Sequence, residues 1–326
     1  MEYDAIVIGG GPAGAACAAR LVENGARTLV LDREDFPRLK LCAGWITPEV
    51  VDDLDMNPDD YPHRFNTFDE IVAHVKGLTF KLRNPQHSIR RYEFDNWLLQ
   101  SAGAEVIHHN VKEIQTDDTG YTVDGNWKAP YIVGAAGTRC PVYRTFFRQV
   151  NPRAKELQAA TFEHEFPYEW KDERCHLWFF DKGLPGYAWY VPKADGYLNC
   201  GIGGMSIKLK AKGQDIKTHW AHFIGVLRKK GFITGDDLPL DHEPKGYSYF
   251  LRGGVDTVRV GNAFITGDAV GLATRDLCEG IGPAIRSGHR AADAILNGSI
   301  YTLDDLQTHS SSYAPVRKLL DFMFVG

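Results

Sequence analysis

The chain has 326 residues, 44% of them hydrophobic and 24% charged, which predicts a sizeable packed core and about two domains. Its net charge of −5 and its lack of a basic block give no reason to expect a nucleic-acid partner. No apolar run approaches the ~20 residues of a membrane-spanning helix, and the first strand follows Met1 almost at once. We therefore expect a cytoplasmic protein without a signal peptide, and the scattered cysteines predict free thiols and no metal site.

The first thirty-two residues predict a strand, a glycine turn, a helix and a second strand. A short apolar run enters GGGPAG at 9–14, and a second apolar run ends at Asp32. In this pattern Gly9 permits a tight turn, Gly11 lets the backbone approach a pyrophosphate, and Gly14 lets the helix pack closely on the sheet. The helix N-terminus would hold the phosphates, while Asp32 would accept hydrogen bonds from ribose hydroxyls. The alternative interpretation is a tight turn that binds nothing.

Three cations, Arg33, Arg38 and Lys40, lie in the loop that follows Asp32. Beside a dinucleotide site they are suited to hold phosphate or adenine, and the alternative for them is a solvated surface turn. Asp32 argues against a 2′-phosphate at this position, whereas Arg33 directly after it leaves that point open. A helix is expected to begin near Thr47-Pro48.

The middle of the chain alternates between two patterns. Residues 70–82 predict strands, residues 97–99 a helix, 111–128 a polar hairpin, and 131–137 a buried strand that ends in small residues. His108-His109 follows another predicted strand and is expected on the surface. From 157 to 255, aromatic residues alternate along successive runs separated by Asp-Gly turns. This segment predicts an antiparallel sheet, interrupted by a helix over about 216–230.

The last third returns to the first pattern, with a strand that runs into Gly267-Asp268. A carboxylate at the carboxyl end of a strand lies where ligands bind, so Asp268 is suited to accept hydrogen bonds from the ribityl chain of FAD. Gly280 to Gly282 open a long helix whose positive dipole end would favour a reduced flavin. An ordinary strand-to-loop turn is the alternative. A final helix is expected over about 310–324, with its apolar cluster packed on the body or, alternatively, in peripheral contact with a membrane.

At this point the sequence resembles the geranylgeranyl reductase family, FAD-dependent reductases of the aromatic hydroxylase-like flavoprotein superfamily. The resemblance runs from Ala5 to about Leu296. The motifs that carry it are VIGGGPAG (7–14), LDRE (31–34), KLCAG (40–44), RYEFDNWLL (91–99), VGAAG (133–137), GYAWYVPK (186–193) and GDAVGLATRDLCEGIGPAIRSGHRAA (267–292).

The resemblance implies an α/β fold similar to para-hydroxybenzoate hydroxylase, with a Rossmann-like FAD-binding domain and an antiparallel-sheet substrate domain. The expected FAD-binding pieces are 1–70, 91–155 and 256–300, the sheet domain is 71–90 and 156–255, and the C-terminal helix is 301–326. The resemblance also implies FAD contacts from Gly9, Gly11, Pro12, Ala13, Gly14, Asp32, Arg33, Lys40, Cys42, Ala43, Arg91, Gly267, Asp268, Gly280, Ile281 and Gly282. It places Tyr187 and Trp189 in the wall of the substrate cavity.

Cys42 is the candidate catalytic residue, since reduction of a C=C bond needs a hydride and a proton on neighbouring carbons. The flavin would supply the hydride and the Cys42 thiol the proton; the alternative is that Cys42 is a small buried hydrophobic residue. Cys278, just before the flavin-facing helix, is a weaker candidate. The expected substrate is an isoprenoid or another apolar molecule, and the electron donor is NAD(P)H or a ferredoxin-like protein.

Two departures from the family keep other functions open. The superfamily usually has Gly-Asp-Gly where this chain has Ala135-Ala136-Gly137, and the chain is short in the C-terminal region that helps to close the lipid cavity. A flavin-binding protein without catalysis is therefore one alternative, and an FAD-dependent monooxygenase on the same scaffold is another. A halogenase is not favoured, because its Trp-x-Trp-x-Ile-Pro motif is replaced here by Tyr187 and Val191 in the corresponding strand.

Overall fold

The computed structural model describes residues 2–235, 238–242, 244–311, 317–318 and 320–321. Their helices are α1 (Pro12–Glu23), α2 (Pro48–Asp53), α3 (Arg91–Ser101), α4 (Ser206–Ala211), α5 (Ile216–Lys229) and α6 (Ile281–Asn297). Their strands are β1 (Ala5–Ile8), β2 (Thr28–Asp32), β3 (Trp45–Ile46), β4 (Asn66–Val75), β5 (Leu78–Ser88), β6 (Glu105–His108), β7 (Ile114–Asp117), β8 (Gly120–Val123), β9 (Trp127–Ala129), β10 (Tyr131–Gly134), β11 (Gln158–Pro167), β12 (Cys175–Phe179), β13 (Gly186–Lys193), β14 (Tyr197–Met205), β15 (Lys245–Phe250), β16 (Arg259–Val260) and β17 (Ala263–Ile265).

The first sheet has six strands in the order β16-β17-β10-β1-β2-β6. All neighbours are parallel except β16 and β17. β1 is buried along its whole length, as expected of a parallel strand covered on both faces. Helices α1 and α6 approach each other closely at Gly288, where any side chain would clash: a Cβ there would lie 2.2 Å from the carbonyl oxygen of Ala13.

The second sheet has eight strands in the order β15-β11-β14-β13-β12-β4-β5-β3, antiparallel except for the β12–β4 pair. One face carries an apolar cluster that includes Trp189 and Leu277, and the other face packs against α5 through Trp220 and Phe223. The α/β fold class with a parallel sheet and a largely antiparallel sheet is thus as predicted, while the exact domain limits stay a prediction.

Two local expectations are corrected. The polar segment over 111–128 forms part of a three-stranded sheet, β7-β8-β9, because the chain after the second turn pairs back as a third strand. His109, expected on the surface, is half-buried, and its Nε2 lies 2.6 Å from the carboxylate of Asp124. His108 is 53% exposed, as expected.

Residues 308–311 pack against the loop that precedes α6. Buried Asp276 accepts hydrogen bonds from the backbone N–H groups of Ser310 (2.9 Å) and Ser311 (2.8 Å). Most of the helix expected over 310–324, and of its apolar cluster, lies outside the described residues. Among the residues that are described, none belongs to a helix long and apolar enough to cross a membrane.

Candidate active site

A cavity of about 620 Å³ lies where the carboxyl ends of the parallel strands face the second sheet. This volume is within the range of small-molecule and cofactor sites. The predicted site residues that line it are Gly9, Gly11, Pro12, Ala13, Asp32, Arg33, Lys40, Cys42, Ala43, Arg91, Tyr187, Trp189, Gly267, Asp268, Gly280 and Ile281. Gly14 and Gly282 lie outside its lining. The fold therefore brings together segments that are more than 200 residues apart in the sequence.

The glycine turn at 9–14 fits closely against its surroundings. Gly9 has a φ of +110°, and a Cβ there would lie 2.6 Å from the backbone of Ala135. A Cβ on Gly14 would lie 1.8 Å from the carbonyl oxygen of Gly9, which explains why Gly14 packs α1 and does not line the cavity. Asp32 accepts the Gly10 N–H at 2.6 Å, so this carboxylate also fixes the turn itself.

Arg38 is one of the loop cations whose role the sequence left undecided. Its Nη2 lies 2.9 Å from Oδ2 of Asp95, a carboxylate that also binds Arg91 at 2.6 and 2.7 Å. Arg38 Nη1 is buried and has no hydrogen-bond partner among the described residues. Nη2 lies 3.4 Å from the position of a Cβ on Gly11. An unpaired guanidinium donor beside a bare glycine fits the phosphates of a dinucleotide.

Lys40 is a second cationic residue that lines the cavity. The Lys40 ammonium lies 3.3 Å from the ring centroid of Tyr247, whose hydroxyl donates to Oδ2 of Asp268 at 3.3 Å. Burial lowers the pKa of Lys40 to about 8, although the carboxylate of Asp268 favours the charged form. The arrangement leaves Asp268 Oδ1, within the described part of the chain, free to accept a ligand hydroxyl.

The N-terminus of α6 differs from the expectation. The side chain of Glu279, which precedes the helix, turns towards its first turn, and Oε1 accepts the Gly282 N–H at 2.7 Å. Gly282 is therefore not available as a donor to a ligand, and the dipole end faces a carboxyl group. Burial raises the pKa of Glu279 to about 7, although this hydrogen bond favours its ionised form.

The loop that carries Cys42 is held by buried polar side chains from three strands. The Glu163 carboxylate accepts the Cys42 N–H, and Asn199 Nδ2 donates to the Cys42 carbonyl at 3.2 Å. The fully buried Lys193 ammonium donates to the carbonyls of Ala43 and Gly44. All of these bonds go to the backbone of the loop, which leaves the thiol side chain of Cys42 facing the cavity.

The sulfur of Cys42 has two donors near it. The Gly44 N–H donates to Sγ at 3.4 Å, and the Arg91 guanidinium lies within hydrogen-bonding reach of the same sulfur. The pKa of Arg91 is raised: burial opposes its charge, but the carboxylate of Asp95 and the sulfur of Cys42 more than compensate. A cation beside a thiol stabilises the thiolate that remains after proton donation.

Aromatic side chains of the second sheet form part of the cavity wall. Tyr187 and Trp189 on β13 are both buried, at 6% and 4% exposure. The Trp189 indole N–H is bonded to Asn199 at 2.7 Å, so Trp189 offers a ligand its ring and not its polar atom. Burial raises the pKa of the Cys278 thiol on this wall to about 12, which disfavours a thiolate there.

Comparisons with known proteins give relatives along most of the chain. Residues 7–74 match the family described as NAD(P)-binding Rossmann-like domain. An uncharacterized protein of Methanosarcina barkeri is 29% identical over 90% of this chain and 74% of its own. Digeranylgeranylglycerophospholipid reductase 2 of Methanosphaera stadtmanae is 25% identical over 95% of this chain and 83% of its own. Menaquinone reductase of Mycobacterium tuberculosis is 26% identical over 90% of this chain and 76% of its own.

Solved structures share the fold. A geranylgeranyl bacteriochlorophyll reductase-like protein from Thermoplasma acidophilum superposes with a TM-score of 0.76 and 18% identity, over 98% of this chain and 82% of that chain. PqsL of Pseudomonas aeruginosa, described as a probable FAD-dependent monooxygenase, superposes with a TM-score of 0.70 and 15% identity, over 99% of this chain and 92% of that chain. The α/β fold predicted from the sequence is therefore confirmed. The relatives and the shared fold together confirm the resemblance of this chain to the geranylgeranyl reductase family of flavoproteins.

Proposed function

We propose that the chain is an FAD-dependent oxidoreductase that reduces C=C bonds of an isoprenoid or another apolar molecule. The observation that carries the proposal is the position of Cys42, which lies in one cavity between a dinucleotide-type glycine turn and an aromatic wall. Relatives named as reductases of geranylgeranyl lipids and of menaquinone support a substrate with an isoprenoid chain.

The residues of the cavity fit FAD. Gly11 and Arg38 would hold the pyrophosphate, Asp32 the ribose, and Asp268 the ribityl hydroxyls, each through the donors or acceptors described above. When bound and reduced, FAD supplies the hydride of such a reaction.

The chain itself supplies the proton and excludes water. Cys42 holds the proton at Sγ, and Arg91 with the Gly44 N–H stabilises the sulfur once that proton has moved to the substrate carbon. The rings of Tyr187 and Trp189 give an apolar surface against which an alkene packs. The backbone bonds of Glu163, Asn199 and Lys193 keep the loop in place while the thiol changes its charge.

The first experiment identifies the cofactor and its donor. The purified protein should show a flavin spectrum, which is then followed during anaerobic reduction with NADPH, with NADH and with a ferredoxin-like donor. A colourless protein that cannot be reconstituted with FAD would overturn the proposal. Bound FAD that none of these donors reduces would instead indicate a flavin-binding protein without catalysis.

The second experiment separates the reductase from a monooxygenase, the function that the fold of PqsL keeps open. Unsaturated isoprenoids of increasing length are supplied with a reducing donor, and both product saturation and oxygen uptake are measured. Saturation without stoichiometric oxygen uptake supports the reductase. Substrate-dependent oxygen uptake identifies the monooxygenase.

The third experiment tests Cys42. Cys42→Ala and Cys42→Ser should each lower turnover by at least tenfold, since a positioned acid contributes about 10²–10⁴-fold. FAD should remain bound, because the hydrogen bonds that hold the loop go to backbone atoms. Unchanged turnover in both variants would remove Cys42 from the reaction, whereas flavin loss would show that its role is structural.

A further inference from the structure

Glu163, in the middle of β11, is a buried carboxyl group at the base of the Cys42 loop. It is only 3% exposed, yet its side chain lines both the main cavity and a smaller one of about 70 Å³. Its carboxylate accepts the Cys42 N–H. Glu163 therefore lies in a wall shared by the two cavities, in contact with the backbone of the thiol-bearing residue.

The charges around Glu163 do not neutralise it in a direct ion pair. Within the described part of the chain, no cation lies within 4 Å of its carboxylate. The charged or titratable groups near it are Lys40 and Cys42 of the loop, Arg91 and Tyr92 of α3, His164 and Glu165 of its own strand, Lys193 of β13 and, opposite it in register, Lys245 of β15. Burial raises the pKa of Glu163 to about 7, although the Cys42 N–H and the ammonium of Lys40 favour the carboxylate.

The smaller cavity connects this carboxyl group with the surface. Its lining includes the polar residues Arg91, Glu165, Asn199 and the exposed Lys245, and it also includes Tyr92, which is 42% exposed. A space of this size holds more than one water molecule, and the lining offers each water several hydrogen-bond partners. Water in this cavity would be in reach of Glu163 without passing through the apolar half of the main cavity.

We propose that Glu163 returns a proton to Cys42 after each reduction and takes its own replacement from water in the smaller cavity. The inference rests on the proposed function. The hydride and the thiol proton become the two new C–H bonds, the sulfur is left as thiolate, and the O–H bond of the Glu163 carboxyl breaks as the S–H bond re-forms. A water-borne proton then restores the carboxyl group, so no further oxidant or reductant is required. In this scheme Glu163 positions the Cys42 loop and donates a proton to Cys42, and it does not touch the substrate itself.

The test uses Glu163→Gln, since the amide oxygen can still accept the Cys42 N–H while the group no longer titrates. The rate at which iodoacetamide alkylates Cys42 is measured from pH 5 to 10 in the flavin-loaded and flavin-free proteins, with the modified peptide identified by mass spectrometry. A nearby carboxylate disfavours the thiolate, so the alkylation midpoint of the variant should move down by about one pH unit. Glu156→Gln, at an exposed position just before β11, is the matched control and should leave the midpoint unchanged.

Wild-type protein alone provides a second readout if the variant does not fold. Coupling to Glu163 should appear as an additional inflection near pH 7 in the alkylation profile of Cys42, and a single simple titration would contradict the proposal. An unchanged midpoint in a folded Glu163→Gln variant overturns it as well.

Turnover separates this inference from the proposed function. In wild type, turnover should fall above about pH 7 as Glu163 loses its proton, and Glu163→Gln should be at least tenfold slower and flat across that range. If Cys42→Ala keeps full turnover, the proposed role of Cys42 fails, whatever the alkylation profiles show. If Cys42→Ala loses turnover while Glu163→Gln keeps the wild-type pH profile, only the proton return fails.

Discussion

The indole Nε1 of Trp189 donates a hydrogen bond to Oδ1 of Asn199 across the antiparallel pair of β13 and β14, at 2.7 Å. The amide nitrogen of Asn199 in turn donates to the carbonyl of Cys42. An aromatic residue predicted to line the substrate cavity is thus also connected to the loop that carries the candidate proton donor.

Trp189→Phe should therefore slow turnover more than it weakens substrate binding. The variant keeps an aromatic ring but leaves the 1%-exposed Asn199 with an unpaired acceptor, at a cost to stability of about 1–3 kcal/mol. We expect kcat to fall several-fold while KM and flavin content change little, as measured by steady-state kinetics and absorbance. Trp178→Phe is the matched control, since its buried indole N–H has no hydrogen-bond partner among the described residues. Equal losses in the two variants would contradict the connection.

Arg38→Ala should weaken FAD binding by roughly ten- to a hundredfold, because it removes a charge-assisted hydrogen bond, which contributes about 1.5–3 kcal/mol. The fold should persist, because Asp95 keeps its two hydrogen bonds from Arg91. The measurement is fluorescence titration of flavin-free protein with FAD.

Arg33→Ala is the comparison for this prediction. Arg33 was predicted to bind the cofactor, but its side chain is 58% exposed and lies 3.2 Å from Glu34. A partner exposed to this degree contributes little, so the loss should stay below about fivefold. A larger loss for Arg33 than for Arg38 would show that the phosphates lie nearer the surface than the cavity geometry indicates.

Whether a feature of this site can be predicted from the sequence depends on how far apart along the chain the contacting residues lie. The GGGPAG turn, Asp32 and Gly267-Asp268 are signalled locally, because each follows an apolar strand, and the fold places all of them at one cavity. Arg38 pairs with Asp95, 57 positions away, and Cys42 with Glu163, 121 positions away. No local sequence pattern predicts contacts at such separations.

Glu279 is a different case, since its contact with Gly282 spans three residues. Glu279 precedes the N-cap residue Gly280, and its carboxylate accepts the N–H of the second helical residue, whereas in the capping box the acidic residue lies inside the first turn. The expectation of a bare helix N-terminus considered the glycines without the acidic residue in front of them.

Glu279→Gln should change how stability depends on pH. The native pKa of Glu279 is raised to about 7, above its ordinary value of 4.5, so the folded protein retains a proton that the unfolded chain releases. Wild type therefore loses stability as the pH rises from about 4.5 to 7, and the amide variant lacks this loss. The unfolding free energy of the variant relative to wild type should increase by on the order of 3 kcal/mol across that interval. Denaturant unfolding at matched flavin occupancy measures it, and a difference that does not vary with pH would contradict the burial of an ionisable group.

Gly14→Ala should abolish FAD binding, although the residue lies outside the cavity lining. Its Cβ would lie 1.8 Å from the Gly9 carbonyl oxygen, a backbone atom of the turn that approaches the cofactor, so α1 or the turn has to shift. Gly225→Ala is the control: this exposed position inside α5 has open space around it, and the change should stabilise the protein by about 1 kcal/mol. Flavin content after purification and thermal unfolding of both variants give the result. Normal flavin content in a folded Gly14→Ala variant would contradict the prediction, because it would show that α1 or the turn can shift without loss of the cofactor.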